Sequence, residues 1–261
     1  MTHSIVLQKI RKNQTVFSLK CCYADPELIE IMGRSRFDCL WICLEHRKLD
    51  ATLLDCLIRS CRLAGVDALF RVKPGAHSDL LYLLEAGVQG IMIPQVRHLN
   101  EIKQVIETIK FQPLGKRGLD MIHADSDFGT IPPVQYIRSA NENTFLVVQV
   151  ETPEVVEHLD DIASLEGVDA LFVGPGDLSA NLGVIGQDDH PEVQKIIKEV
   201  ARVCARHDKV AAIPCSPDRI SEYHALGFRF FNTGSDFRFI QNGLKSATDA
   251  LDSISDLTAP S

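Results

Sequence analysis

The chain of 261 residues is 45% hydrophobic and 24% charged, a composition that supplies enough aliphatic side chains for a sizeable globular core. Its formal net charge of −8 argues against a nucleic-acid partner, which needs a basic face to replace phosphate counterions, while leaving room for a small anionic substrate met by one buried Arg. The start, MTHSIVLQKIRKNQ, lacks an apolar signal core and no stretch approaches the roughly 18 apolar residues of a membrane span, so a cytoplasmic protein is expected.

Taken in chain order, eight short apolar runs read as strands, near 15–20, 37–43, 68–73, 90–94, 145–150, 169–174, 209–214 and 228–233. Amphipathic stretches separate them, among them LLDCLIRSCRLA (53–64) and EVQKIIKEVARVCARH (192–207). AGVDALF (64–70), AGVQGIMIP (86–94), EGVDALFVGP (166–175) and LGFRFFNTG (226–234) each place a Gly between a helical pattern and a strand. Gly65, Gly87, Gly167 and Gly227 are therefore predicted to end helices in the left-handed conformation. The stretch 111–144, with Pro113, Gly115, Gly118, Gly129, Pro132 and Pro133, reads as one long irregular region. Eight cysteines without a CxxC pair, several inside apolar runs, read as reduced, mostly buried thiols.

The runs are nearly continuous in apolar character, as expected of a parallel sheet covered on both faces. Eight βα units in this length fit a single (β/α)8 TIM barrel over 1–261. An open doubly wound sheet is the alternative, because periodicity does not show closure.

In such a barrel the chemistry lies at the C-terminal strand ends. Those ends carry Glu45–His46, Arg71, Pro94–Gln95, Gln149–Glu151, Gly174–Asp177, Pro214–Cys215 and Gly234–Asp236. Glu151 and Asp177 end successive strands and offer hard oxygen ligands for Mg²⁺, Mn²⁺ or a similar ion. The same spacing suits two helix N-caps, and spacing alone does not choose. Arg71 is placed for bidentate carboxylate binding, or for an ion pair with an acid such as Glu85. His46 after Glu45 reads as a general base near neutral pH or as a structural His. GPGDLSANLG (174–183) could turn backbone amides toward an anion, but matches neither the Walker pattern nor GxGxxG.

Together, FDCLWICLEH (37–46), ALFRV (68–72), AGVQGIMIPQV (86–96), PLGKRG (113–118), VVQVET (147–152), EGVDALFVGPGDLSANLG (166–183), HPEVQ (190–194) and TGSD (233–236) carry a resemblance over about residues 16–250. The chain resembles the HpcH/HpaI aldolase family, class II pyruvate aldolases that include the 2-dehydro-3-deoxyglucarate and 4-hydroxy-2-oxoheptanedioate aldolases. The resemblance implies a (β/α)8 barrel in a homo-oligomer, a hexamer with helix exchange or a trimer. It implies a divalent cation (Mg²⁺, Mn²⁺ or Co²⁺) on Glu151 and Asp177, Arg71 against the enolate and carboxylate, and His46 beside Glu45 as the acid/base group. Gln149, Pro175, Gly176 and Asp177 would orient the ketoacid. The implied reaction is reversible cleavage of a 4-hydroxy-2-oxo acid to pyruvate and an aldehyde.

Two features depart from the family pattern. Cys43 stands where the family usually has an Asp three residues before the His, and Glu85 is the candidate replacement. The segment LDMIHADSDFG (119–129) carries three Asp and a His in place of the usual small residues and Arg. Both leave a second reading open, an oxaloacetate decarboxylase or other pyruvate-enolate lyase or synthase on the same site. A non-catalytic ketoacid-binding barrel is the third.

Overall fold

The computed structural model describes residues 3–73 and 77–252. Its strands are β1 (Val16–Cys21), β2 (Cys39–Cys43), β3 (Asp67–Arg71), β4 (Gly90–Ile93), β5 (Phe145–Val150), β6 (Ala170–Val173), β7 (Val210–Pro214) and β8 (Phe230–Ser235). Each pairs in parallel with the next, and β8 pairs with β1. Closure excludes the open sheet, and each predicted run holds one strand.

The alternation along the strands explains the unbroken apolar runs. Leu40, Ile42, Phe70, Ile91, Ile93, Leu146, Val148, Leu171 and Val173 join the cluster shared with the helices. Their neighbours Cys39, Trp41, Leu69, Met92, Phe145, Val147, Ala170, Phe172, Ala212 and Phe230 fill the barrel interior. Because both faces are buried, neither needs polar residues until the strand reaches the mouth.

The opposite end is plugged by the helix Ile5–Arg11, whose Val6 and Leu7 join the inner cluster. Asp67, at the start of β3, anchors that plug by accepting from Ser4 Oγ (2.6 Å), Ile5 N (3.1 Å) and Val6 N (2.9 Å). Burial pushes its carboxyl up to about 6, although these donors work against the shift.

Three of the four junction glycines adopt the expected conformation, with φ of 69° at Gly65 and 108° at Gly87 and Gly227. Gly167 is not left-handed; it is needed because a Cβ there would lie 2.5 Å from Ile106 Cγ2. The 111–144 stretch is not irregular throughout, since it holds the helix Pro133–Asn143 with Tyr136 and Ala140 buried. Pro133 lies at its start, where the missing N–H costs nothing. All eight cysteines are free thiols, and Cys21, Cys39, Cys43, Cys61 and Cys204 are buried. No helix among the described residues is long and apolar enough to cross a membrane.

Candidate active site

At the mouth the inward-facing positions turn polar. Glu151 follows β5 and its side chain is wholly enclosed, with no solvent exposure. Oε1 accepts from Gln95 N (2.7 Å) and Gln95 Nε2 (3.1 Å), and Oε2 accepts from Gln149 Nε2 (3.0 Å). Gln95 adopts φ 51°, an uncommon conformation for a residue with a Cβ, and its backbone N–H meets the carboxylate from there. The chain leaves no room for a side chain at Gly174, where a Cβ would stand 2.7 Å from Glu151 Oε2. Asn181 Nδ2 donates to the Glu151 carbonyl (2.7 Å), tying the end of β5 to the helix Pro175–Asn181.

Burial pushes the Glu151 carboxyl up to about 7; the Gln95 amide opposes this, while the nearby charges of Asp177 and Glu45 reinforce it. Neither carboxylate is a helix N-cap. Thr152 caps the helix Pro153–Glu157, and Gly174 occupies the cap position of Pro175–Asn181, which puts Asp177 in the first turn. Pro175 is buried, Gly176 and Asp177 are exposed, and nothing lies within 4 Å of where a Gly176 Cβ would be. The early amides of that turn have no intrahelical acceptor.

Arg71 ends β3 inside the barrel. It donates from NH1 to Gln149 Oε1 (3.2 Å) and from NH2 to Cys43 Sγ (3.0 Å). Its Nε lies 3.2 Å from Glu45 Oε2 in a buried ion pair whose angle leaves the Nε–H without a hydrogen-bond acceptor among the described residues. Gln149 therefore joins the two halves of the site, accepting from Arg71 and donating to Glu151. The guanidinium also lies 4.9 Å from the centroid of Trp41.

His46 is largely exposed, and its Nε2 stands 3.5 Å from Glu45 Oε2. Glu45 thus bridges His46 and Arg71. Glu85 does neither job: it lies on the helix His77–Ala86, beside an outer cleft of about 340 Å³ that it shares with Arg59, Arg62 and His123. Cys43 meets Arg71 rather than His46. The 119–129 segment packs outward too, with Asp125 N donating to Glu85 O (3.1 Å) and Tyr136 Oη donating to Asp125 (3.0 Å). Asp236 is occupied by backbone, accepting from Cys22 N (2.7 Å), Tyr23 N (2.8 Å) and Phe237 N (2.7 Å).

The mouth thus brings together Glu151, Asp177, Gln149, Arg71, Glu45 and His46. Gln95 and Gly174 stood among the strand ends expected at the mouth but were given no role of their own, and Asn181 was not placed at the site at all; Gln95 holds the Glu151 carboxylate and Asn181 its carbonyl. Among the described residues no three His, Cys, Asp or Glu side chains converge as metal ligands. The donors on offer are the carboxylate oxygens of Glu151 and Asp177, with Glu151 Oε2 enclosed by the glycine at 174. It suits a hard cation that completes its shell with water and substrate.

A family model, HpcH/HpaI aldolase/citrate lyase, matches residues 21–242. A 5-keto-4-deoxy-D-glucarate aldolase of Klebsiella pneumoniae is 31% identical over 88% of the chain and 90% of its own length. A 2-dehydro-3,6-dideoxy-6-sulfogluconate aldolase of Pseudomonas putida is 29% identical over 84% of the chain and 86% of its own. Among solved structures, an HpcH/HpaI aldolase from Desulfitobacterium hafniense superposes with a TM-score of 0.89 at 24% identity, covering 97% of this chain and 96% of that one. The citrate synthase SbnG gives 0.87 at 25% identity, covering 96% and 98%. The chain belongs to the HpcH/HpaI aldolase/citrate lyase family and is an enzyme of the carbon–carbon lyase class.

Proposed function

We propose that the chain is a divalent-cation-dependent aldolase that reversibly cleaves a 4-hydroxy-2-oxo acid to pyruvate and an aldehyde. The observation that carries this reading is the continuous link Glu151–Gln149–Arg71, which sets a buried carboxylate and a buried guanidinium on one side-chain amide. Glu151 and Asp177 would hold the cation, Mg²⁺, Mn²⁺ or Co²⁺, which when bound supplies Lewis-acid charge for the C2 oxygen of the ketoacid.

The chain's own residues supply the rest. Arg71 keeps one N–H on each terminal nitrogen beyond those given to Gln149 and Cys43, aimed where negative charge grows as C3–C4 cleaves. Its other contacts fix the plane of the guanidinium. The first-turn amides at Gly176 and Asp177 face the carboxylate end of the ketoacid, with Pro175 fixing the turn. His46, held by Glu45, takes the proton from the C4 hydroxyl. The electron pair of the O–H bond forms the second C–O bond of the aldehyde, that of C3–C4 passes to the enolate, and C3 is protonated to give pyruvate. The apolar residues Phe237, Phe239, Ile240 and Leu244, exposed on the helix Asp236–Asp252, support a homo-oligomer in which a second copy covers them.

The test is pyruvate release from 4-hydroxy-2-oxo acids with and without EDTA, in the wild type and in Glu151→Gln and Asp177→Asn. Full activity in EDTA, or in both variants, rejects the reading. A decarboxylase or synthase on the same site is favoured by one observation, the exposed His46 held among the described residues only by a 3.5 Å contact to Glu45. Oxaloacetate turnover without aldol cleavage of any hydroxy-ketoacid would select it.

A further inference from the structure

The buried carboxylate of the mouth is held by more donors than its orientation needs. An ionised carboxylate offers about four lone-pair sites, two on each oxygen. Glu151 Oε1 accepts from Gln95 N (2.7 Å) and from Gln95 Nε2 (3.1 Å), which fills both of its sites. Oε2 accepts from Gln149 Nε2 (3.0 Å) and from no other donor among the described residues. The Gln149 amide is fixed in this orientation, because its Oε1 accepts from Arg71 NH1 (3.2 Å). One lone pair is left, and it is on Oε2, the oxygen that faces Gly174 at the start of the helix carrying Asp177.

The backbone N–H and the side chain of one residue reach the same oxygen at the φ of 51° that Gln95 adopts, a left-handed conformation that favours Gly and Asn. Its neighbours hold it there. Thr152 Oγ1 donates to the carbonyl of the buried Val96 (2.6 Å), and Glu101 Oε2 accepts from Arg97 N (2.9 Å) and His98 N (3.1 Å). A strained residue fixed by its surroundings points to a task for its side chain. Orientation is not that task, since the Gln95 N–H and Gln149 already aim the carboxylate. What Gln95 Nε2 adds is closure of the second site on Oε1.

We propose that Gln95 restricts Glu151 to ligation through Oε2 alone, and thereby makes the site select a small octahedral cation over Ca²⁺. The inference rests on the cation site of Glu151 and Asp177 proposed above and adds the residue that sets its selectivity. Ca²⁺ takes roughly six to eight oxygens and often grips a carboxylate by both, whereas Mg²⁺ demands near-ideal octahedral geometry and keeps several waters. A carboxylate with one open lone pair serves the second ion and withholds an oxygen from the first. Gln95 is a positioning residue here, acting through Glu151.

The test titrates the EDTA-stripped full chain with Mg²⁺, Mn²⁺ or Ca²⁺ alone, by calorimetry, in the wild type, Gln95→Met and Gln95→Gly. Both variants keep the backbone N–H and lose Nε2. The Gly variant also relieves the left-handed strain, so a change common to both does not come from a strained backbone. The readout is the ratio of Kd for Ca²⁺ to Kd for Mg²⁺. Both variants should lower it on the order of 10-fold, chiefly through tighter Ca²⁺ binding. Infrared difference spectra on metal loading, with ¹³C in the glutamate carboxyls to separate Glu151 from Asp177, read the ligation mode. The wild type should show the wide splitting of carboxylate stretches that one-oxygen ligation gives, and the Ca²⁺-loaded variants a narrower one.

An unchanged ratio and splitting in both variants would overturn the assignment, as would a narrow splitting in the wild type. Equal weakening of all three ions, with the splitting unchanged, would reduce Gln95 to a structural support and overturn it too. A wild type that binds the ions while the variants keep its ratio removes only the role of Gln95. A wild type that binds none of the three overturns the cation-dependent reading beneath it.

Discussion

Replacing Glu151 with Gln separates electrostatics from packing at the centre of the site. In the metal-free protein the folded state holds this carboxyl at about 7, against 4.5 for the free side chain. The folded state thus binds the proton more tightly than the unfolded chain. Its contribution to stability is fully present below pH 4.5, is lost as pH rises toward 7, and stays lost above it. The shift corresponds to about 3 kcal/mol between the two ends of that window. Glu151→Gln removes the dependence. It also faces an amide nitrogen toward donors that now meet Oε1 or Oε2, a penalty of about 1–3 kcal/mol that does not change with pH. The quantity to compare is therefore the slope, not the absolute stability. Chemical denaturation of both proteins in EDTA, at intervals from pH 4.5 to 8.5, should show the variant gaining about 3 kcal/mol relative to the wild type across the range. Saturating divalent cation should then stabilise the wild type alone. Parallel pH curves would refute the claim that burial of an ionisable Glu151 dominates this site.

Three further outcomes follow from the same geometry. Gly174→Ala should weaken apparent metal affinity about 10- to 100-fold, measured as the metal concentration for half-maximal activity, because its Cβ displaces Glu151 Oε2 from 2.7 Å; unchanged affinity would mean the carboxylate is free to move. Arg71→Lys cannot reach Gln149, Cys43 and Glu45 together and should cost roughly 10²–10³ in kcat, whereas a loss confined to KM would assign Arg71 to ground-state binding. Cys43→Asp should lower kcat/KM by about tenfold rather than restore an Asp–His pair, because the new carboxylate meets the Arg71 NH2 that now donates to Sγ. A gain in aldolase rate would show that it reaches His46 after all.

Strand positions were legible because a barrel buried inside and out writes its strands as unbroken apolar runs, and the first polar residue after each run marked the mouth. Glu151, Asp177, Arg71 and His46 were singled out as candidates that way, and the structure sets them at the mouth of the barrel. What linked them was not legible. The amide of Gln149 and the backbone N–H of Gln95 act through orientation, and orientation depends on a left-handed residue at 95 that carries none of the usual Gly or Asn signal. The partner of His46 was sought at Glu85, one strand too far, because a sequence gives no warning that the adjacent Glu45 folds back between His46 and Arg71. Pro132 and Pro133 read as breakers, yet the second opens a helix, since a helix start tolerates the ring that a helix interior rejects. Gly167 was assigned by analogy with three left-handed glycines, while its actual constraint is the Ile106 side chain packed against it.

The chain has one tryptophan, and it is Trp41, packed edge-on against Phe172 (5.4 Å) beneath the Lys20 ammonium and the Arg71 guanidinium, its buried Nε1–H without an acceptor among the described residues. Its emission therefore comes from the floor of the barrel mouth and from nowhere else in the protein. Any ligand that draws Lys20 or Arg71 away from the ring, or reaches the indole N–H, changes the field on a single chromophore. Intrinsic fluorescence is thus a label-free titration signal for this site, and global unfolding will be reported from the same place.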